Sequence, residues 1–154
     1  MSTKQLYQLH YLSDLFYNRF TPEQYPEIEQ KKTRPYIVLL ICIDNNTFAL
    51  PMRTNIRHNC CYRFRNSSRP TDSVTGIDFS KAVIVNDPAY INGLAEIDNK
   101  EFVELNDRIG FIIGKFQSYL RGYIKYAQGT ANEFQASKYR YTTLQYFYNE
   151  LNIT

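Results

Sequence analysis

Tryptophan is absent from this 154-residue chain, glycine and proline number six each, and there are three cysteines. So little Gly and Pro, beside 44% apolar residues, excludes a collagen-like or low-complexity chain and leaves material for a core. Nowhere do apolar residues run for the ~18 positions of a membrane span, and the longest run, Tyr36–Ile43, is strand-sized. No membrane partner is therefore expected. The opening MSTKQLYQLHY has no unbroken apolar stretch of the kind a secretory leader needs. Cys42, Cys60 and Cys61 cannot all pair, so the expected home is the reducing cytoplasm rather than an oxidising compartment. Adjacent Cys60 and Cys61 also lack the spacing of a zinc pair, even with His58 and Cys42 added. A Gly-rich phosphate loop, a Gly-x-Ser-x-Gly elbow and an acidic two-metal cluster are all missing. Neither a metal nor another cofactor is expected.

What is present is unevenly placed. The formal charge is only +3, yet Asn45–Thr71 holds no Asp or Glu while carrying Arg53, Arg57, Arg63, Arg65 and Arg69. Acids gather instead in Asp14–Glu29 and Asp72–Asp107. The stretch from Lys115 onward is rich in Tyr, Lys and Arg. Such segregation points to a polyanion partner in a way that the net charge does not. Length suits one domain over 1–154, since cores of about 100–200 residues are usual.

Local patterns predict α+β. Lys4–His10 alternates weakly, as a short strand does, and Leu12, Leu15, Phe16 and Phe20 follow at helical spacing. Pro22–Pro35 reads as a loop. Tyr36–Ile43 and Thr47–Leu50 read as hairpin strands around Asp44-Asn45-Asn46, ended by Pro51, whose nitrogen cannot donate to a ladder. Cys61–Phe64 and Lys81–Val85 read as further strands. Asp98 with Glu101 resembles a capping box opening one long helix to Gly129, with Leu105, Ile109, Ile112, Phe116, Leu120 and Ile124 on its inner face. A second helix is predicted from Ser137 to Leu151. The sheet is expected to be antiparallel, with helices on one side.

The most informative stretch is Leu50-Pro-Met-Arg-Thr-Asn-Ile-Arg-His58, which leaves the end of a buried strand. Arg53, Thr54, Asn55, Arg57 and His58 put guanidiniums, a hydroxyl, an amide and an imidazole close together. Cleaving a phosphodiester without metal needs such groups: cations and donors for the developing charge, and a proton carrier. RNA brings its own nucleophile, the 2′-hydroxyl. The ordinary alternative is a solvated loop whose arginines pair with acids from elsewhere. His58 suits proton transfer, although an imidazole bonded to a nearby carbonyl is as natural. Arg34, with Lys31 and Lys32, precedes the hairpin strand, so pairing of the two strands would bring it to the same rim as a phosphate clamp, or as an edge cation that suppresses aggregation. Arg63, Arg65 and Arg69 would extend the surface. Lys115, Tyr119 and their neighbours combine cations with rings, as single-stranded RNA sites do, although several of these tyrosines must pack in the core.

The order of basic residue, hairpin, Leu50–His58 motif and long helix, over Leu6 to about Tyr126, resembles the endoribonuclease toxins of type III toxin–antitoxin systems. These are the ToxN/AbiQ family, here in particular its CptN branch. The resemblance implies a compact, strongly twisted antiparallel sheet similar to the MazF/Kid barrel, with flanking helices. It implies metal-independent cutting of adenine-rich RNA to 2′,3′-cyclic phosphate and 5′-hydroxyl ends. It also implies processing of a repetitive antitoxin RNA into pseudoknots that inhibit the toxin within a closed protein–RNA assembly. Cellular or phage mRNA would be the substrate, with growth arrest or abortive infection the outcome, and DNA would not be a partner. Arg34, Thr54 and Arg57 match the family's basic, hydroxyl and second basic positions. ToxN reads Thr-Ser then Pro-Lys-Lys where this chain has Arg53-Thr54 then Asn55-Ile56-Arg57-His58. A lysine-centred proton scheme therefore does not transfer, and arginine is a poor base. Two other classes stay open: a non-catalytic single-stranded RNA-binding module, and a protein-binding adaptor.

Overall fold

A computed structural model describes residues 6–28, 36–70, 74–129 and 133–153, the last segment through its backbone alone at 133–135. The described strands are β1 (Leu9–Leu12), β2 (Ile37–Ile43), β3 (Asn46–Thr54), β4 (Cys61–Arg63), β5 (Thr75–Asp78), β6 (Val83–Ile84) and β7 (Ile91–Ala95). The helices are α1 (Asp14–Arg19), α2 (Asn99–Asp107), α3 (Ile109–Ala127) and α4 (Glu133–Lys138). The strands form one antiparallel sheet in the order β4-β5-β3-β2-β1-β7, with β6 also on β3. The α+β class is thus observed.

The β2–β3 hairpin forms as its turn residues require. Asp44 and Asn45 have φ of 51° and 68°, the left-handed pair that a two-residue turn needs, and Ile43 faces Asn46. Val38 faces Pro51, so the start of β2 does lie beside the far part of β3. The expected stop at Pro51 does not occur, because β3 continues to Thr54. The Thr47 carbonyl accepts from the Val85 amide and the Asn55 amide donates to Val74, both at 2.8 Å. Odd-numbered residues of β3 therefore turn their backbone groups away from β2. Along that edge β6 stops at Ala49↔Val83 and β5 starts at Met52↔Ile77. Pro51 falls in the gap, where a missing N–H removes no ladder bond.

Other expectations shift. The first strand is Leu9–Leu12 rather than Lys4–His10, and Lys4 and Gln5 lie outside the described residues. α1 buries Phe16 between Leu12 and Phe20, while Leu15 is exposed. Lys81–Val85 contributes only the two residues of β6, preceded by a 3-10 turn over Phe79–Lys81. The single long helix is two, divided at Arg108, whose backbone leaves the helical region at φ −108° and ψ 13°. Poor helix formation by nearby Gly110 favours a break there. The predicted Ser137–Leu151 helix is replaced by short α4 and a 3-10 turn over Thr143–Tyr146. Hydroxyls compete with the helix at this point: Thr142 accepts the Leu144 amide, and Thr143 donates to the Ala82 carbonyl. Leu144 and Phe147 are buried nonetheless.

Helices cover both sheet faces rather than one. Neighbouring Phe48 and Ala49 point oppositely from β3. Phe48 packs on Phe116 of α3 with centroids 5.2 Å apart. Ala49, Pro51 and Val38 instead line a small void of ≈ 30 Å³ with Leu12 and with Phe16 of α1. One apolar cluster runs from Leu9 to Ile153.

Gly122, inside α3, has a packing reason. A Cβ there would lie 2.2 Å from the hydroxyl of Tyr139, a buried ring whose O–H donates to the Tyr119 carbonyl at 3.0 Å. Helix propensity alone would make Gly122→Ala stabilising by about 1 kcal/mol. Overpacking reverses the sign, and a loss of about 1–3 kcal/mol is expected. A urea midpoint equal to or above the parent's would refute this.

Candidate functional site

β3 delivers Arg53 and Thr54 to opposite faces of the sheet, because side chains alternate along a strand. Thr54 is exposed, whereas Arg53 turns inward and donates from Nη1 to Asp78 Oδ2 at 2.9 Å. The two groups expected to act on one phosphate are therefore separated by the pleat. Beyond Thr54 the chain reverses through Asn55, whose φ of 55° is a conformation that asparagine tolerates. Asn55 and Arg57 are exposed. The returning loop is braced from below by Arg63, which donates to the carbonyls of Ile56 at 2.8 Å and His58 at 2.6 Å. Arg63, an exposed residue, thus holds the loop's shape.

Asp78, fully buried at the end of β5, is the hub of the site. Besides Arg53, it accepts the Ser80 amide at 2.9 Å and the Ser80 hydroxyl at 2.6 Å, both at Oδ1. His58 Nε2 lies 3.3 Å from Asp78 Oδ1 and 3.3 Å from Ser80 Oγ. The other ring nitrogen, Nδ1, accepts the Cys60 amide at 3.1 Å. That bond places the proton of the neutral ring on Nε2. A Ser-His-Asp relay needs the hydroxyl and the carboxylate on different ring nitrogens. Here one nitrogen faces both, so these three residues are not a hydrolytic triad.

His58 and Ser80 open into a cleft of ≈ 500 Å³ whose opposite wall carries Lys138, Tyr141 and Thr142. The Lys138 ammonium stands 5.3 Å from the Tyr139 ring centroid, a cation–π distance. Cys60 also lines the cleft, but burial pushes its thiol above the usual range, as it does for Cys61, so neither is disposed to form a thiolate. Among the described residues no group of three His, Cys, Asp or Glu side chains is placed to hold a metal.

The acid-free arginine stretch meets its acids in space. Asp98, Glu101 and Glu104 fall on one side of α2 and its cap, three residues apart. Asp98 accepts the Ser68, Lys100 and Glu101 amides. Glu101, fully buried, accepts from Ser67 Oγ at 2.6 Å and Arg69 Nε at 3.1 Å rather than completing a capping box. Glu104 accepts the Tyr62 hydroxyl at 2.5 Å, the Arg65 amide at 2.9 Å, and both nitrogens of Asn66 at 2.7 and 3.1 Å. Burial pushes the Glu104 carboxyl up, but these bonds outweigh it and hold the group below its ordinary range. The same burial, then the bond to Glu104, raises the Tyr62 phenol.

Several residues expected to contact RNA have partners within the protein. Arg69 is paired with Glu101. Lys115 donates to the Cys61 carbonyl at 2.8 Å. Tyr119 is 3% exposed and donates to Thr142 Oγ1, so it packs in the core and offers no face to a base. Burial raises its phenol strongly. Arg65 keeps an exposed side chain. Lys31, Lys32 and Arg34 lie outside the described residues. Asp78, Ser80 and Thr142 were missed, whereas Lys138 and Tyr141 belong to the Tyr-, Lys- and Arg-rich stretch from Lys115 onward. Asp78-Phe-Ser80 has the Asx-turn spacing of a side chain that bonds the backbone two residues on, a signal that was legible. In comparisons with known proteins, the chain matches no family model, no curated protein and no solved structure.

Proposed function

We propose that this protein is a metal-independent endoribonuclease of the toxin type that its sequence resembles. The observation that carries the reading is the His58–Ser80 cleft, where an imidazole N–H, hydroxyls, a phenol and the Lys138 ammonium converge on a space of nucleotide size. The segment leading into it, Thr54 to Arg57, leaves a hydroxyl, an amide and a guanidinium exposed. In the reaction the RNA 2′-oxygen attacks the adjacent phosphorus and the bond to the 5′-oxygen breaks. The 2′-hydroxyl loses a proton and the leaving oxygen gains one. Arg57 and Lys138 neutralise charge on the non-bridging oxygens, and Thr54 orients the 2′-hydroxyl or a phosphate oxygen. His58 donates through Nε2 once its ring has taken a second proton on Nδ1, which requires the Cys60 amide to release that nitrogen. Solvent water takes the proton of the 2′-hydroxyl. The reading includes a MazF/Kid-like barrel curvature of the sheet, a cytoplasmic location and inhibition by a pseudoknot of the protein's own antitoxin RNA.

A second reading, a non-catalytic single-stranded RNA-binding module, is favoured by the engagement of both His58 nitrogens. One assay separates the two. Purified protein, stripped of co-purified RNA, is incubated with adenine-rich RNA in excess EDTA and the ends are analysed. Cyclic phosphate ends are expected, reduced at least ~100-fold by Arg57→Ala or Lys138→Ala, as for loss of a transition-state charge partner. RNA that stays intact while shifting on a gel would replace the nuclease with the binding module.

A further inference from the structure

Away from the His58 cleft, a second opening of ≈ 520 Å³ lies where α2 meets α3. Arg65, Lys100 and Arg108 line it, with Asn66 and the Tyr62 ring. Two carboxylates also reach it, Asp107 and Glu104, the latter with its oxygens engaged by Tyr62, Arg65 and Asn66, so three cations meet two anions. Beside the opening stands Phe111, 52% exposed on the first turn of α3. Its ring centroid is 6.1 Å from that of Tyr62 and 4.6 Å from the Arg108 guanidinium carbon. Neighbouring Val103 is 51% exposed as well. Neither side chain belongs to the core cluster. A phenyl ring held in water beside cations costs hydration free energy without core packing to offset it. Single-stranded nucleic acid is held by this combination: cations along the backbone and a ring face for the base.

We infer that this opening is a subsite for one nucleotide of single-stranded RNA, with the base stacked on Phe111 and the phosphate on Arg65 and Lys100. It rests on the RNA reading above and extends it to a second contact, remote from the bond that is cut.

Because the chain has no tryptophan, Phe111→Trp installs a single indole reporter. The full chain is titrated with a dodecamer of oligoadenylate, and with the same backbone made abasic. Anisotropy of fluorescein-labelled oligoadenylate reports total binding. Saturable quenching of the indole by oligoadenylate but not by the abasic strand is expected, with the midpoint given by anisotropy. Phe111→Ala is expected to weaken binding roughly 5- to 150-fold. Arg65→Ala and Lys100→Ala should each reduce the slope of log K against log salt by about 0.7. Binding by anisotropy with an unchanged indole signal and an unaffected Phe111→Ala variant would overturn the subsite and leave the RNA reading standing. Absence of both binding and cleavage in the parent protein would overturn the RNA reading, and the subsite with it.

Discussion

Asp78→Ala is expected to lower folding stability by about 3 kcal/mol, because several donors lose one buried acceptor at once. Asp78 is fully buried and is the acceptor for Arg53, for both donors of Ser80 and for the side of His58 that faces it. Its loss removes the carboxylate 2.9 Å from Arg53, whose side chain is 30% exposed, and takes the Oδ1 acceptor from the Ser80 amide. Urea unfolding gives the size of the effect, and the double variant Arg53→Met/Asp78→Ala identifies its cause. If loss of the Arg53–Asp78 pair dominates, removing the cation as well recovers part of the loss, so the two changes are non-additive. Additivity within ~0.5 kcal/mol would show that the pair is not the source. Asp78→Asn keeps an acceptor for Ser80 without the charge, and should fall between the parent and the alanine variant.

Glu104→Ala is the second large effect, again about 3 kcal/mol or more, because the Tyr62 hydroxyl and the Arg65 and Asn66 amides lose one shared acceptor in a buried place. Its pH dependence has a definite sign. A carboxyl held below its ordinary range in the folded state contributes stability above the unfolded value, roughly pH 4.3, and loses it as pH falls through the folded value. Glu104→Gln should therefore be destabilising at pH 7, and its deficit should shrink as the parent acidifies through that window. A deficit that stays constant down to pH 2 would mean that packing, not ionisation, is responsible.

How far the sequence led depends on which force decided each element. The hairpin was legible because its turn is a local backbone requirement: Asp44 and Asn45 can take positive φ where most residues resist it. The α3 stripe was legible through period alone. β5 and β7 were not, since Gly76, Asp78, Asn92 and Gly93 dilute any strand pattern, and each strand exists because a neighbour pairs with it. Gly76 is fixed by that neighbour as well: a Cβ there would meet the Tyr62 carbonyl at 2.5 Å. In the site, the Leu50–His58 motif did mark the loop that reaches the cleft. The arginines misled, because residues that look free in sequence meet acceptors: Arg53 and Arg69 on distant segments, and Arg63 on the nearby carbonyls of Ile56 and His58. Asp78 and Glu101 are remote from Arg53 and Arg69 in sequence, so no local window contains those two pairings. Tyr119 misled in the opposite direction, although its helical spacing from Ile112 and Phe116 places it on the inner face of α3.

The order in which partners become available also sets how this chain must fold. β1 sits between β2 and β7, so Leu9 pairs with both Leu39 and Ala95. The Asn106 side chain accepts the Tyr7 amide across 99 positions, and the Asn46 side chain donates to the Glu150 carbonyl across 104. Local helices cannot nucleate such closures, whose loop entropy must be met before the contacts form. A nascent chain therefore carries β1 and the β2–β3 hairpin with apolar faces and an open edge until the residues of β7 and α2 emerge. Slow acquisition of the native state is the corollary, and truncation anywhere before Ala95 should yield aggregates rather than a smaller folded unit.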